Sequence, residues 1–298
     1  MAERKWRGEL RIDLPMSEHV SWRAGGIAAR AYFPTDLEDL VLFLASLRHD
    51  EPLLFVGLGS NLLVRDGGFE GTVVFTRDAL SQLRHEADGS IYAEVGVTSA
   101  KLARYAASLR LSGAEFLAGI PGSLGGALCM NAGCYGSETW SFVRRVLMLD
   151  RYGGRLERSP ADFSIAYRHV GLAGACDEWF AAAWLEFPTG DSGVARKRIR
   201  ALLEARGNSQ PLNLPNAGSV FRNPPEDHAA RLIEAAGLKG YSIGGARVSE
   251  KHANFIVNPD SVATATEIEM LIDHVRASVK EKFGVELVRE VRIVGVRN

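Results

Sequence analysis

Gly57-Leu58-Gly59-Ser60-Asn61-Leu62-Leu63-Val64 follows the short apolar run Leu53-Leu54-Phe55-Val56. Glycines let a backbone approach a ligand closely, and successive N–H groups in such a turn form a concave cradle for phosphate oxygens. A plain strand-to-strand turn uses the same residues. The stretch is not a Rossmann fingerprint, because the third glycine is missing and Leu62-Leu63-Val64 reads as strand rather than helix. No Gly-Lys-Ser/Thr follows, so it is not a P-loop either. A phosphate-bearing cofactor bound here therefore needs another fold. A second glycine-rich stretch, Gly119-Ile120-Pro121-Gly122-Ser123-Leu124-Gly125-Gly126, continues through residues 127–136. A helix beginning near Gly125 would add the positive end of its dipole to such a cradle.

Around these loops the periodicities alternate between helix and strand. Residues 35–47 carry Leu37, Leu40, Val41, Leu44 and Leu47 at helical spacing, with Thr35 and Glu38 in a capping-box pattern. Strands are expected at 53–56, 72–75, 91–97 and 179–187, a helix at 101–111, and a hairpin from 143–149 and 156–158 around 151–154. The first half is mixed α and β. After a charged helix near 195–206 come two prolines in 210–216, a short strand at 219–221, a helix at 228–236 stopped by Gly237 and a strand at 254–257. A longer helix starts near Thr266 and Glu269, buries Ile268, Leu271, Ile272, Val275 and Val279, and ends at Gly284. The last strand, 285–294, puts Val291 and Ile293 on one face and Glu290 and Arg292 on the other. The domain boundary falls just before the charged helix, giving 1–190 and 191–298.

The 298 residues hold 35 Lys and Arg against 36 Asp and Glu, a net charge of -1, so no global positive field recommends nucleic acid or an anionic membrane. Cys129, Cys134 and Cys176 are odd in number and lack CxxC spacing, which suggests neither a disulfide framework nor zinc and fits reduced thiols in a cytoplasm. The seven histidines show no paired-ligand spacing, so no metal is expected. Residues 1–10 lack the apolar core of a leader, and no run reaches the roughly 18 apolar residues of a membrane span. In Gly218-Ser219-Val220-Phe221-Arg222-Asn223-Pro224 a hydroxyl, a cation and an amide share one short segment. Taken alone, Ser219 reads first as a turn or capping serine, Arg168 after Tyr167 as a surface arginine, and Glu290 as the solvent side of an alternating strand.

Taken together and in order, these motifs resemble the UDP-N-acetylenolpyruvoylglucosamine reductase family. The carriers are the two glycine loops, His19-Val20-Ser21-Trp22-Arg23-Ala24-Gly25-Gly26, Arg65-Asp66, Asn131-Ala132-Gly133, residues 218–224, Gly244-Gly245-Ala246-Arg247-Val248-Ser249 and His252-Ala253-Asn254-Phe255. The resemblance covers nearly the whole chain. It implies an α+β fold: a vanillyl-alcohol-oxidase-type FAD-binding domain of two α+β subdomains, then a smaller α+β substrate-binding domain whose last strand returns to the active site. It implies noncovalent FAD, NADPH as hydride donor and a UDP-sugar substrate, with no obligate protein partner.

By the same resemblance Gly57, Leu58, Gly59, Ser60, Asn61 and Leu62 hold the FAD pyrophosphate. Ile120, Pro121, Gly122, Ser123, Gly125, Gly126, Asn131, Ala132 and Gly133 line the rest of the cofactor, and Arg23 neighbours the flavin. Arg168 and Glu290 match the charge stabilisers, Ser219 the proton donor, and Tyr167, Arg222 and Asn223 the substrate contacts. The short stretch from Arg168 to Trp179 points to the shorter subgroup, which lacks a tyrosine-bearing loop insertion. A noncatalytic nucleotide-binding protein is disfavoured by intact Arg168, Ser219 and Glu290. A flavin oxidase of the same broad fold is disfavoured by the motifs at 218–224 and 244–255.

Overall fold

The computed structural model describes residues 6–172, 174 and 177–297; residues 1–5 and Cys176 lie outside the described residues. The chain divides into two compact units. One consists of residues 1–11, 31–57 and 72–205, the other of 12–30, 58–71 and 206–298.

The first unit is organised on a five-stranded antiparallel sheet, in the order Arg155–Arg158, Val143–Asp150, Glu178–Leu185, Ile91–Glu94, Leu83–His85. Alternation along these strands sends Ala93, Val146, Ala181, Ala183 and Leu185 into the main core with Leu102, Ala103 and Ala106 of the helix Ser99–Ser108. Tyr92, Ala182 and Trp184 face the other way, where Arg84 and Arg145 cover Tyr92 and Trp184 at 3.6 and 4.1 Å. An open depression of about 600 Å³ on this face, lined by Asp36, Glu38, Arg84, Glu94, Arg155 and Trp184, contains none of the candidate residues. The strand Leu53–Val56 runs parallel to residues 72–75, pairing Leu53 with Thr72 and Val56 with Phe75.

The helix expected at 35–47 is Leu37–Ala45, and its cap is Asp36 rather than Thr35. Asp36 Oδ1 accepts the Asp39 N–H at 2.8 Å, while Thr35 instead donates its own N–H to Asp39 Oδ2. Buried Asp39 also accepts from the Tyr32 hydroxyl at 2.8 Å. Burial alone would raise its pKa, but the Arg7 backbone N–H, followed by Thr35 N–H and the Tyr32 hydroxyl, holds it below the ordinary carboxylate value.

In the second unit the helix Ala265–Phe283 buries Ile268, Leu271, Ile272, Val275 and Val279 and ends at left-handed Gly284, as expected. Its capping box is Thr264 with Glu267, two residues earlier than the Thr266 and Glu269 pattern. Asp66 adds a second cap, accepting from Ala265 N and Thr266 N at 3.0 and 2.8 Å. A small antiparallel sheet, Ser242–Ile243, Ala246–Val248 and Ile256–Val257, packs with this helix around Ala246, Val248 and Ile256. Leu62–Val64 pairs in parallel with Arg292–Val294. The last strand is therefore shorter than the expected 285–294. Upstream of it only an isolated bridge joins Phe221 and Arg289.

Candidate active site

In the second unit the first glycine loop is laid on the segment that precedes it. Ser21 N donates to Gly59 O at 3.1 Å, and Ser21 Oγ donates to Asn216 O at 2.6 Å. Buried Trp22 donates its indole N–H to Ile256 O at 2.8 Å, and Asn258 Nδ2 donates to Trp22 O at 2.9 Å. Arg23 follows in the left-handed region, at φ 54°, with its side chain exposed. Gly59 has φ +61°, and a Cβ there would sit 2.3 Å from His19 O, so the turn requires glycine on two counts.

The loop exit joins the chain's last segment. Asn61 O accepts Arg292 N at 3.1 Å, Asn61 Nδ2 donates to Glu290 O at 3.2 Å, and Leu62 then pairs with Arg292. Glu290 is tied in turn to the serine segment, its N–H donating to Val220 O at 2.8 Å while Arg222 N donates to Val288 O at 2.9 Å. Two of the expected catalytic residues, Ser219 and Glu290, thus stand on neighbouring segments, both half-buried. Buried Arg222 Nε has no hydrogen-bond partner among the described residues. That leaves a donor on a permanently charged group for an anionic ligand. Asn223 is exposed, and its Oδ1 accepts Ala229 N at 3.1 Å, capping the helix Ala229–Ala235.

In the first unit Tyr167-Arg168 forms the tip of a hairpin, with Phe163–Ala166 paired to His169–Leu172. Arg168 has φ 54°, an unusual conformation for a residue with a side chain, and one that clusters at functional sites. Its Nη2 donates to Gly133 O at 2.6 Å and its Nη1 to Asn131 O at 3.4 Å, so the arginine joins two residues expected to line the cofactor. Asn131 is buried, and both N–H groups of its amide are engaged. Its Nδ2 donates to Glu138 Oε2 and Ala166 O, and its Oδ1 accepts Trp140 N. Part of the stretch behind the subgroup reading, residues 173, 175 and 176, lies outside the described residues.

The second glycine loop passes through the turn Glu115–Gly119 into the helix Leu124–Cys129. Gly57 meets it at close range, since a Cβ on Gly57 would lie 2.1 Å from Ser123 Oγ. Gly126 is exposed, and a Cβ there would meet nothing within 4 Å. Bare backbone facing open space at Gly126, beside the Gly57–Ser123 approach, fits a phosphate-bearing cofactor lying against main chain. Among the described residues no group of three or more His, Cys, Asp or Glu side chains could hold a metal, and no helix is long and apolar enough to cross a membrane.

The sequence motifs assign no role to Arg65, Asp66 and Asn254, and place Glu269 only at a helix start. Arg65 binds Glu269 through Nε and Nη2 at 2.8 and 3.0 Å, and Arg297 Nη2 binds the same carboxylate at 2.8 Å. The Arg65 guanidinium, with Arg297 behind it, holds the Glu269 carboxyl at about 2, although burial pushes it up. These residues anchor the strand that leaves the first loop. A glycine-rich loop followed by Arg-Asp was the available signal, but the partners lie some 200 residues away.

Residues 28–159 match the family described as FAD binding domain. Residues 210–294 match UDP-N-acetylenolpyruvoylglucosamine reductase, C-terminal domain. The chain is 55% identical to the UDP-N-acetylenolpyruvoylglucosamine reductase of Thiobacillus denitrificans, over 98% of this chain and 94% of the relative. It is 56% identical to that of Methylococcus capsulatus, over 94% of this chain and 91% of the relative. The crystal structure of UDP-N-acetylenolpyruvylglucosamine reductase from Thermus caldophilus superimposes with a TM-score of 0.80 at 28% identity, covering 96% of this chain and 98% of that one.

Proposed function

The chain belongs to the UDP-N-acetylenolpyruvoylglucosamine reductase family, and on that premise we propose that Arg168, Ser219 and Glu290 carry the second step of its reaction. The protein is an FAD-dependent oxidoreductase that uses NADPH to reduce UDP-N-acetylglucosamine enolpyruvate to UDP-N-acetylmuramate in peptidoglycan precursor synthesis. FAD, when bound, supplies the hydride relay between NADPH and the methylene carbon of the enolpyruvyl ether. Flavin binding is assigned to residues 1–190, as a vanillyl-alcohol-oxidase-type domain, and substrate binding to 191–298. The two family matches support that division. The cofactor is held noncovalently in the cytoplasm, by Gly57 to Leu62, Ile120 to Gly126, residues 131–133, and Arg23.

Hydride addition at the methylene leaves an electron pair on the neighbouring carbon, shared with its carboxylate, and that charge needs donors and then a proton. Arg168 presents N–H groups suited to the carboxylate. Glu290, in its carboxylic-acid form, would donate a hydrogen bond to the developing enolate. Ser219 Oγ delivers its proton to the carbon, which completes the lactyl ether. Tyr167, Arg222 and the free side of Asn223 hold the substrate's anionic groups.

The observation that carries this reading is the Glu290 N to Val220 O bond at 2.8 Å, which ties the acid's segment to the serine's segment. Replacing Ser219 by Ala tests it. FAD content and flavin reduction by NADPH should be kept, and reoxidation by the enolpyruvyl substrate should be lost; equal loss of both half-reactions would contradict the proton-donor role.

A further inference from the structure

We propose that Asn254 is a positioning residue for Ser219, an inference that rests on the proton-donor reading above. Asn254 is 4% exposed and turns both ends of its amide to one residue of the serine segment. Its Oδ1 accepts Phe221 N at 3.0 Å and its Nδ2 donates to Phe221 O at 2.8 Å. Its own carbonyl accepts Val220 N at 2.9 Å. One side chain thereby reproduces the paired bonds that a neighbouring strand would provide. No strand lies there, since the nearest sheet strand begins only at Ile256.

On its other edge the same segment is held by Glu290 N to Val220 O and Arg222 N to Val288 O. The peptide units at 220 and 221 are clamped from both sides, and they set the spacing between Ser219 and Glu290. Asn254 is itself fixed. Its N–H donates to His252 Nδ1 at 3.3 Å, and Ser249 Oγ accepts Lys251 N and His252 N at 3.2 and 3.4 Å. Burial pushes the His252 imidazole down, which favours the neutral ring that can accept this bond at Nδ1.

Without the amide, the N–H and C=O of Phe221, which is 1% exposed, lose their partners and the segment shifts. A displacement on the order of 1 Å at a reacting group costs up to about 100-fold in rate. The step affected is proton delivery, not hydride acceptance from NADPH.

The test compares wild type, Ser219→Ala, Asn254→Ala and the double variant, each loaded with FAD, by rapid mixing with NADPH and then with UDP-N-acetylglucosamine enolpyruvate. Asn254→Ala is expected to slow flavin reoxidation by about 10- to 100-fold while flavin reduction stays within about twofold. The double variant should be no slower than Ser219→Ala, because both changes disable one group. Additive losses, equal losses in both half-reactions, or an unimpaired Asn254→Ala beside a slow Ser219→Ala would overturn the positioning role. If Asn254→Ala does not fold, Asn254→Asp carries the same comparison, since it keeps the acceptor for Phe221 N and loses the donor to Phe221 O. A Ser219→Ala enzyme that reoxidises at the wild-type rate would remove the proton-donor reading itself, and the proposal with it.

Discussion

Asn61 Nδ2 donates to the main-chain carbonyl of Glu290 at 3.2 Å, so a residue of the first glycine loop holds the segment that carries the candidate acid. The Asn61 carbonyl reinforces this by accepting Arg292 N at 3.1 Å. Loading of the loop and placement of Glu290 are thereby mechanically linked. Asn61→Ala should weaken FAD binding and also slow substrate-dependent reoxidation at saturating FAD, each by about 2- to 10-fold for one lost hydrogen bond. Fluorescence titration of the flavin and rapid mixing measure the two effects separately. An effect on FAD affinity alone would break the link.

Gly59→Ala should be far more damaging. At φ +61°, with a Cβ 2.3 Å from His19 O, alanine forces the loop off the 19–23 segment. A strained left-handed residue plus such a clash costs about 2–4 kcal/mol. Thermal denaturation and the flavin content of the purified protein report it, and an FAD-replete variant with an unchanged Tm would contradict the loop geometry.

Arg168→Lys keeps the charge but loses the planar fork that reaches Gly133 O and Asn131 O. The expected outcome is normal flavin reduction by NADPH with reoxidation slowed by about 100-fold, the scale of removing one transition-state donor. Steady-state kcat near wild type would contradict a charge-stabilising role.

Glu269 gives a pH prediction. A carboxylate whose folded pKa lies below its unfolded value, about 4.3, adds stability that is complete above that value and is lost as pH falls through the folded pKa. With Glu269 at about 2, the window is roughly pH 4.3 to 2. The contribution is at most about 3 kcal/mol, and less because Arg297 is exposed. Urea midpoints measured from pH 7 down to pH 2.5 should fall more steeply for wild type than for Glu269→Gln over that window. Parallel curves would count against the ion pair.

What the sequence disclosed was mostly local. The helix at 265–283 was readable from Ile268, Leu271, Ile272, Val275 and Val279 because one face is buried at helical spacing. The caps were misread by one or two residues. Asp36 stands beside Thr35 and Thr264 lies near Thr266, and only geometry decides which side chain reaches an open N–H. The final strand was read too long because 285–294 alternates well, yet ladder partners exist only opposite Leu62–Val64. Glu9–Pro15 does carry a strand pattern, with Leu10, Ile12 and Leu14 alternating with Glu9, Arg11 and Asp13, whereas Ile27–Phe33 shows no clean alternation. Residues held by partners outside their own motif, such as Arg65 with Glu269, Asn131 with Trp140 and Asn254 with Phe221, are visible in the sequence only as types in a motif. Their roles depend on contacts that no spacing rule encodes.

The most direct test of the central claim is an anaerobic stopped-flow spectrum of the FAD-loaded protein, following the yellow flavin band first with NADPH and then with UDP-N-acetylglucosamine enolpyruvate. Bleaching by NADPH and recovery only when the substrate is added is the predicted result. A protein that cannot take up FAD, or reduced flavin that ignores the enolpyruvyl substrate and recovers only when oxygen is admitted, would contradict it.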